Sequence, residues 1–542
     1  MAAMNGDFVF KGQNCERLQD AFNAFLPKNS QCQIRYTHTP PKSCEPLFSP
    51  RPGAQPEKTK LASHFLTVSV PVNDKIPGSD QLKSSAEDHV VVFAMEVLVY
   101  SSRGLVTMFV SKADSTGYLP QRRPSPIKSV ATTFMWWLST QQRQSTKATG
   151  TKLVISLFAR AQSQYLFPGS ADHGKKHVLD DRQLIRWWAR VLDPLFLEGD
   201  RTDQDLDLQG YMTVPGYHGI ETKSLFPTKP NSSEKSRNWT PGNPLIELAQ
   251  ARDLPETTPT RCLLPRFPDD PKARFMQDLD DEVGLVEDAG SLALTSPSKQ
   301  KSGRWKTIND LERFWEAMEF RQECSSGRVV GFLWLVVRPP ASEQHLLPSS
   351  QTDRESSPSR QPTTASNSQT STTSRASRKS TSRSPKRAKK LSGPVIPRQP
   401  RLKGSSSTLS ATSGADDTSK RDGPYLTKEG YDSAMQILLN LEFNTLAAAV
   451  HSTSKWVAEV SRMAGLKAGE WALECVGTAE TETAVGAEGA KQMNDLGGLV
   501  RKKRKADDGG SGAGATPVES ADQAKPEGNG VNVLVGRKKA KN

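Results

Sequence analysis

Runs of apolar residues alternate with helix-like patterns along the first 340 residues of the chain. Five runs rich in Val, Phe and Leu have the length and composition of β-strands, namely residues 64–72, 89–100, 105–110, 152–159 and 329–337. Several of these runs are apolar on both faces, as expected for strands that are covered on both sides. The predicted fold class is therefore α/β, with one domain built on a central mixed β-sheet covered by helices.

Apolar spacing of three and four residues predicts helices over residues 18–25, 127–142, 181–196, 271–282 and 308–323. In the last of these, Thr307 and Asp310 have the spacing of a capping box. Its apolar stripe consists of Leu311, Phe314, Trp315 and Met318. A single stripe of this kind is typical of an amphipathic scaffold helix.

The composition changes sharply after residue 340. Residues 341–424 are dominated by Ser, Thr, Arg, Lys and Pro, which offer too little apolar surface to offset the entropy of ordering. Helical spacing returns over residues 427–462. We predict a main domain over 1–340, a disordered basic insert over 341–424, helices that pack back on the domain over 425–475, and a disordered tail over 476–542.

The formal net charge of +13 is concentrated in the predicted disordered segments. Residues 341–424 hold 15 Lys and Arg against 6 Asp and Glu, so the folded part is close to neutral. A broad basic face for specific nucleic-acid binding is therefore not expected. Three short basic clusters in residues 385–390, 501–505 and 537–541 have the composition of nuclear-import signals and predict a nuclear location.

Several classes of protein are disfavoured by what the sequence lacks. The six cysteines form no C-x-x-C pair, so neither a disulfide framework nor a zinc site is expected. His173 and His177 are four residues apart without a suitable third ligand, so no metal is predicted. The longest apolar run, 329–337, is too short to span a membrane, and residues 1–10 do not resemble a signal peptide.

Residues 268–275, P-D-D-P-K-A-R-F, combine two carboxylates, a lysine and an arginine around a proline. Asp270 precedes Pro271, so it is pushed out of helical geometry and is predicted to cap the following helix. Lys272 then lies in the first turn, where the helix dipole disfavours an ammonium by ~0.3 to 1 kcal/mol. An ordinary capped helix explains this spacing equally well.

Two further segments carry similar chemistry. Residues 109–118, F-V-S-K-A-D-S-T-G-Y, leave a predicted strand for a turn at Gly117, either as a plain strand exit or with backbone amides free for an anionic or carbonyl ligand. Residues 160–168, R-A-Q-S-Q-Y-L-F-P, precede the pair Lys175 and Lys176 and the tandem Trp187 and Trp188. Trp188 has the spacing of a core residue on its helix.

Taken in this order, F-V-S-K-A-D, S-Q-Y-L-F-P, K-K-H with W-W, and P-D-D-P-K-A-R-F resemble the fungal histone H3 acetyltransferases of the regulator-of-Ty-transposition type. The fold of that family is similar to that of the CREB-binding-protein acetyltransferases. The resemblance extends from about residue 18 to 337 and resumes over about 425–462. It implies a catalytic domain interrupted by the insert, with acetyl-CoA as cosubstrate and no metal.

The resemblance also implies which residues contact the cosubstrate. These are Ala113, Asp114, Ser115, Arg122, Phe158, Gln162, His177, Val178, Leu179 and Trp187, with Lys175 and Lys176 supplying charge to the phosphates.

A second implied group surrounds the reacting amine. The target lysine would enter a channel lined by Trp188, with Tyr165 and Asp114 nearby, and Asp270 would exchange the proton. Lys272 matches a lysine that the family acetylates on itself. Asp269 and Arg274 would support the adjoining loop.

The resemblance implies transfer of acetyl to histone H3 in newly made H3–H4, with the core lysine on the αN helix first and tail lysines second. It further implies dependence on histone chaperones of the nucleosome-assembly-protein and anti-silencing-function types, in replication-coupled nucleosome assembly and the DNA damage response. The alternative is an inert nuclear adaptor that binds histones without turnover. Independently of this choice, the acidic residues 278–288 either recruit basic histone surface or merely cap and solubilise the loop.

Overall fold

The computed structural model describes residues 15–72, 88–119, 126–146, 150–197, 207–228, 236–281, 283, 304–321, 328–338, 423–467 and 469–479. All of these residues belong to one compact unit, Met1–Glu482. The second unit, Thr483–Asn542, lies outside the described residues, as do residues 341–422 of the predicted insert (341–424) and all three basic clusters.

Ten strands and nine α-helices are found among the described residues. The strands are β1 (Gln31–His38), β2 (Lys42–Cys44), β3 (Thr59–Pro71), β4 (His89–Ser102), β5 (Leu105–Ser115), β6 (Lys152–Ala159), β7 (Asp207–Thr213), β8 (Trp239–Pro241), β9 (Gly331–Arg338) and β10 (Leu473–Val476). The helices are α1 (Leu18–Phe25), α2 (Pro126–Thr146), α3 (Asp181–Leu192), α4 (Gly219–Ser224), α5 (Leu245–Ala251), α6 (Pro271–Asp280), α7 (Leu311–Glu319), α8 (Lys428–Leu439) and α9 (Leu446–Ala464).

The strands form a single mixed sheet in the order β10-β1-β3-β4-β5-β6-β9-β7-β8, with β2 paired to β3. The pairs β5–β6 and β7–β8 are parallel, and the other pairs are antiparallel. The predicted central mixed sheet is therefore confirmed. Strand β5 lies near the middle of the sheet, so the chain that leaves it has packed neighbours on both sides.

Alternating side chains of the central strands enter two different hydrophobic cores. In β9, Leu333 and Leu335 belong to the larger core with α2 and α3, whereas Phe332 and Trp334 belong to the core under α5, α6 and α7. This alternation follows from the two-residue period of a strand. It explains why the central strands are apolar on both faces, as the sequence predicted.

The two helices that follow the undescribed segment 339–422 return to the same sheet. The Thr453 hydroxyl of α9 accepts a hydrogen bond from the backbone amide of Val91 in β4 at 3.0 Å. Tyr118 donates its hydroxyl to the carbonyl of Phe443, between α8 and α9, at 3.0 Å. These contacts hold the α8–α9 pair next to the end of β5.

Strands β1, β2, β7 and β8 and helices α4 and α5 were not predicted from the sequence, and three further details differ. Helix α7 is capped by Asp310 alone, whose side chain accepts from the amide of Arg313, so the predicted capping box with Thr307 is wrong. Strand β5 runs on to Ser115 rather than ending at residue 110. Strand β10 lies where only helices and the start of the tail were expected, and it pairs with β1.

The sequence predicted that no apolar run is long enough to span a membrane. Over the described ranges, no helix is long and apolar enough to cross a membrane.

Candidate active site

A cleft of about 920 Å³ opens at the end of β5. Its wall combines the end of β5, the segment that follows β6, the loop before α3, and α3 itself. Volumes of 300 to 1,000 Å³ are usual for small-molecule sites. The cleft can therefore take a ligand of cofactor size.

Most of the predicted cosubstrate residues line this one cleft. They are Ala113, Asp114, Ser115, Phe158, Gln162, Lys175, Lys176, His177, Val178, Leu179 and Trp187, together with Tyr165 and Trp188 from the predicted amine channel. Arg122 lies outside the described residues. The structure thus brings together segments separated by up to about 75 residues of sequence.

Asp114 is the most heavily bonded side chain of the cleft. One oxygen, Oδ2, accepts from the backbone amides of Tyr165 at 2.7 Å, Leu166 at 2.9 Å and Phe167 at 3.4 Å. The other oxygen, Oδ1, accepts from its neighbour's amide at 2.8 Å and from the Lys176 ammonium at 2.7 Å. A carboxylate with five donors is well suited to hold loops in place, and its predicted catalytic role stays a prediction.

Lys176 forms an ion pair with this carboxylate. Its ammonium also donates to the Ser170 hydroxyl at 2.8 Å, and its side chain is only 5% exposed. Burial lowers the pKa of Lys176, while Asp114 acts in the opposite direction. The neighbouring Lys175 is exposed at the cleft wall, so a role in binding phosphates fits Lys175 better than Lys176.

The turn after β5 is closed by a contact that only glycine permits. Gly117 has φ +86°, and a Cβ built there would lie 2.7 Å from the Cα of Lys176. His173 packs above this turn, stacked on Tyr118 with ring centroids 4.5 Å apart and bonded to the carbonyl of Thr116 at 2.6 Å. The turn and the loop before α3 therefore form one packed layer.

The prediction of free backbone amides in this turn is wrong for the two residues that precede Gly117. The Ser115 amide donates to the Asp114 carboxylate, and the Thr116 amide donates to the carbonyl of Val92 at 3.1 Å. The Ser115 amide is thus satisfied by the adjacent side chain, and the Thr116 amide is satisfied because β5 continues beside β4 as far as Ser115.

Aromatic side chains form another part of the wall. Trp187 and Trp188 meet edge to face with centroids 4.8 Å apart, and Trp188 is buried in the larger core while it also lines the cleft. Tyr165 donates its hydroxyl to the carbonyl of Arg160 at 2.6 Å, which fixes the ring within the segment after β6. Trp188 therefore serves both the core and the cleft.

Helix α3, which carries both tryptophans, is anchored at its start. Asp180 caps it in a capping box with Gln183. The Asp181 carboxylate accepts from the amides of Ala161 at 3.3 Å and Val329 at 3.1 Å. These bonds connect α3 to the segment after β6 and to the residues just before β9.

Asp270 and Lys272 form a buried pair behind the cleft. As predicted, Asp270 is the N-cap of α6 with proline at the first position, and it accepts the amide of Lys272 at 2.9 Å. Its carboxylate also pairs with the Lys272 ammonium, which lies 5.2 Å and 5.4 Å from the ring centroids of Phe267 and Phe332. Burial lowers the pKa of Lys272, and Asp270 opposes that shift.

The 269–272 turn is connected to the cleft by an ion pair between Asp269 and Lys112. Neither Asp270 nor Lys272 is among the described residues of the cleft wall, but Lys112 is. Its ammonium lies 3.7 Å from the Asp269 carboxylate, and Asp269 adopts φ +57°. Arg274, which was expected to support the adjoining loop, is exposed on α6 and makes no ion pair over the described ranges.

Sequence reasoning missed Lys112, Arg160 and Arg190, which all line the cleft. Lys112 belongs to the quoted F-V-S-K-A-D motif. The signal that could have identified it is the position of a cation at the end of an apolar strand. Arg160 and Arg190 have no distinguishing pattern in the sequence.

Chemically, the cleft offers an apolar and aromatic wall with cationic groups at its edge. Such a surface suits an elongated ligand that has both an apolar and an anionic part. Within the described ranges, no three His, Cys, Asp or Glu side chains are grouped so that they could hold a metal ion.

Comparison with known proteins agrees with this reading. The sequence matches the histone acetyltransferase KAT11-type domain family over residues 18–147 and 139–459. It is 43% identical over 348 residues to the histone acetyltransferase rtt109 of Aspergillus flavus, covering 60% of this chain and 56% of that protein. It is 33% identical over 259 residues to the rtt109 of Schizosaccharomyces pombe, covering 46% and 57% respectively. The chain thus spans little more than half the length of these relatives.

A solved structure is also similar. The crystal structure of Rtt109 from Aspergillus fumigatus superimposes with a TM-score of 0.61 at 34% identity, covering 86% of this chain and all of that one.

Proposed function

The chain belongs to the KAT11-type histone acetyltransferase family, and from this premise we propose that it transfers acetyl from acetyl-CoA to a lysine of histone H3. The observation that carries the proposal is the cleft of about 920 Å³ beside β5, whose wall contains thirteen of the fourteen described candidate residues for cosubstrate and amine, all except Asp270. Family membership supports the acyl chemistry, and the cleft supports the choice of residues.

Acetyl-CoA fits the residues of this cleft by size and chemistry. Its acyl and pantetheine portion is suited to the apolar side chains of Ala113, Phe158 and Leu179. Its phosphates are suited to exposed cations at the edge, among which Lys175 is the candidate. Asp114 and Lys176 would then hold the loops that shape the site, since both are engaged with each other.

The reaction requires a neutral amine. A lysine with a pKa of ~10.4 must lose a proton to attack the thioester, which costs ~4 kcal/mol at neutral pH. A channel walled by Trp188 and Tyr165 would lower this cost by desolvating the ammonium. As the new N–C bond forms and the C–S bond breaks, the amine proton passes to a base and the sulfur leaves as the thiolate of coenzyme A.

Asp270 is the proposed proton acceptor, acting through water, because it is not itself among the described residues of the cleft wall. Its carboxylate is engaged by the amide and ammonium of Lys272, so its basicity depends on the charge of that lysine. A neutral or acetylated Lys272 would no longer stabilise the ionised form of Asp270, which would raise the basicity of that carboxylate. None of the candidate site positions is a cysteine, which favours direct transfer within a ternary complex over an acyl-enzyme.

The finer assignments are proposals that rest on the resemblance to the family. We propose that the preferred acceptor is the core lysine on the αN helix of H3 in newly made H3–H4, with tail lysines second. The activity would depend on chaperones of the nucleosome-assembly-protein and anti-silencing-function types. It would serve replication-coupled nucleosome assembly and the DNA damage response in the nucleus, and Lys272 would be a site of self-acetylation.

The test is to incubate the full chain with labelled acetyl-CoA and H3–H4, with and without each chaperone class, and to map the label by mass spectrometry. Label on H3 that increases with chaperone is the expected result. Binding of H3–H4 and acetyl-CoA without label on any lysine would instead support the inert adaptor. The same spectra would report whether Lys272 carries acetyl.

A further inference from the structure

Glu96 is a charged residue inside an otherwise apolar strand, and the proposed reaction gives it no role. It lies in the run V-V-V-F-A-M-E-V-L-V-Y of β4 and is 5% exposed. A buried carboxylate is costly unless it is paired and hydrogen-bonded. Its partners therefore show which parts of the fold it connects.

Each oxygen of Glu96 has a partner from a different part of the chain. Oε1 accepts from the Tyr431 hydroxyl of α8 at 2.8 Å. Oε2 accepts from the ammonium of Lys112, its cross-strand neighbour on β5, at 3.4 Å. Burial first, and the Glu96 charge second, raise the pKa of Tyr431 well above its usual value, so its hydroxyl remains a donor.

Lys112 is shared between Glu96 and the turn that precedes α6. Its ammonium lies 3.7 Å from the carboxylate of Asp269, while its side chain lines the cleft. Asp269 has φ +57°, a conformation that is uncommon for residues other than glycine and that the surroundings must maintain. Asp270 follows immediately. A continuous series of polar contacts thus connects α8 with the turn that carries the proposed proton acceptor.

We propose that Tyr431 is a positioning residue, which holds Glu96 so that Lys112 stays shared with Asp269 and keeps the 269–270 turn beside the cleft. This inference rests on the proposed function for its effect on turnover. Without the Tyr431 hydroxyl, one oxygen of Glu96 loses its donor inside the protein. The carboxylate then competes more strongly for Lys112, and Asp269 loses the cation that stabilises its conformation.

The first test is Tyr431→Phe, which removes only the hydroxyl. We expect kcat for acetyl transfer to fall about threefold or more, with KM and Kd for acetyl-CoA unchanged, because Tyr431 is not among the cleft residues. Tyr211→Phe is the matched control, since Tyr211 also donates to a glutamate, Glu247, at 3.4 Å, but away from the cleft. An unchanged kcat in Tyr431→Phe overturns the proposal.

A double-mutant cycle distinguishes positioning from a general loss of stability. If Tyr431 acts through Asp269, Tyr431→Phe has no further effect on kcat in an Asp269→Asn background. If the losses of the two substitutions multiply, Tyr431 acts by another route and the proposal is wrong.

A second measurement does not depend on activity. Tyr431→Phe is expected to increase amide hydrogen exchange in residues 268–275, and Tyr211→Phe is expected to leave it unchanged. Should Tyr431→Phe not fold, Lys112→Gln interrupts the same series of contacts between Glu96 and Asp269. It is expected to give the same increase in amide exchange in residues 268–275. Exchange that stays at the wild-type rate overturns the inference. A wild-type protein that transfers no acetyl would refute the proposed function alone.

Discussion

The carboxylate of Asp270 accepts both the backbone amide and the side-chain ammonium of Lys272, two residues further along the chain. One residue thus caps α6 and neutralises a lysine that is only 2% exposed. The pairing resolves an electrostatic conflict, because an ammonium in the first turn of a helix is disfavoured by the helix dipole. It also limits Asp270 as a base for as long as Lys272 is charged.

Asp270→Asn tests the proton-transfer role. Asparagine is still a good N-cap but cannot take a proton, and it leaves the buried Lys272 ammonium without its counter-charge. We therefore expect kcat to fall roughly tenfold or more and the melting temperature to fall, while the Kd for acetyl-CoA changes little. Steady-state kinetics and titration calorimetry measure the two quantities. Asp310→Asn, at the exposed N-cap of α7, is the matched control and is expected to be silent. Loss of cosubstrate binding in Asp270→Asn would assign the residue a structural role instead.

Lys272→Met tests the energetic side of the same pair. It leaves the buried Asp270 without its cation, and breaking a buried pair in this way costs about 3 to 5 kcal/mol of unfolding free energy. Urea denaturation at neutral pH measures the loss. The double variant Asp270→Asn with Lys272→Met is expected to recover most of it, because no unpaired charge remains. A stable single variant would show that the pair contributes little.

Asp114→Asn separates loop positioning from catalysis at the cleft. Asparagine has only one accepting oxygen, so it can accept from the backbone amides of residues 165–167 or from the Ser115 amide and Lys176, but not from both groups, and Lys176 would lose its counter-charge. We expect the affinity for acetyl-CoA to weaken about tenfold or more together with a lower melting temperature. Asp172→Asn, exposed in the neighbouring loop, is the control. Unchanged binding with abolished turnover would instead favour a direct catalytic role for Asp114.

Gly117→Ala tests the close approach between the turn after β5 and the loop before α3. The added methyl would meet backbone atoms of Lys176 at 2.7 Å, so one of the two segments must move. Weaker acetyl-CoA binding is expected in calorimetry. Gly174→Ala controls for backbone strain, because Gly174 also has positive φ, +67°, but has nothing within 4 Å of the added atom. Equal losses in both variants would attribute the effect to strain rather than to contact.

The sequence predicted those elements whose burial is regular. Strand β6 and helix α1 have the predicted bounds because their apolar patterns are uninterrupted. Strand β1 was missed because Gln33 and Arg35 interrupt its pattern. Both have partners that only the fold supplies, since Gln33 donates to Glu474 on β10 at 2.6 Å and Arg35 donates to Ser69 on β3 at 3.4 Å. The apolar pattern of a sequence indicates which positions are buried. It does not indicate which distant group forms the hydrogen bond to a buried polar side chain.

The same limit applies to the site. The cap at Asp270 could be predicted because a proline fixes the local geometry. The pairing of Asp114 with Lys176, 62 residues apart, could not be read from spacing, since it requires the Gly117 turn to pack against the loop before α3. Local backbone chemistry was therefore predictable, whereas the assignment of a lysine to phosphate binding or to a buried ion pair depended on the packed structure.

The buried His64 predicts how stability depends on pH. Its ring accepts from or donates to the Tyr36 hydroxyl at 2.6 Å, and burial, followed by the neighbouring His38, lowers its pKa from 6.5 to about 3. The unfolded chain binds a proton at His64 near pH 6.5 and the folded chain does not. The contribution of neutral His64 to the free energy of unfolding is therefore fully present above pH 6.5. It is lost as the pH falls from there toward 3.

We therefore expect acid to destabilise the wild type more than His64→Gln, by about 2 to 3 kcal/mol between neutral pH and about pH 4.5. Urea unfolding at several pH values gives the two slopes. His177→Gln, in an exposed loop position, should follow the wild type. If the curves of wild type and His64→Gln run parallel through this interval, His64 gains its proton in the folded state as readily as in the unfolded chain.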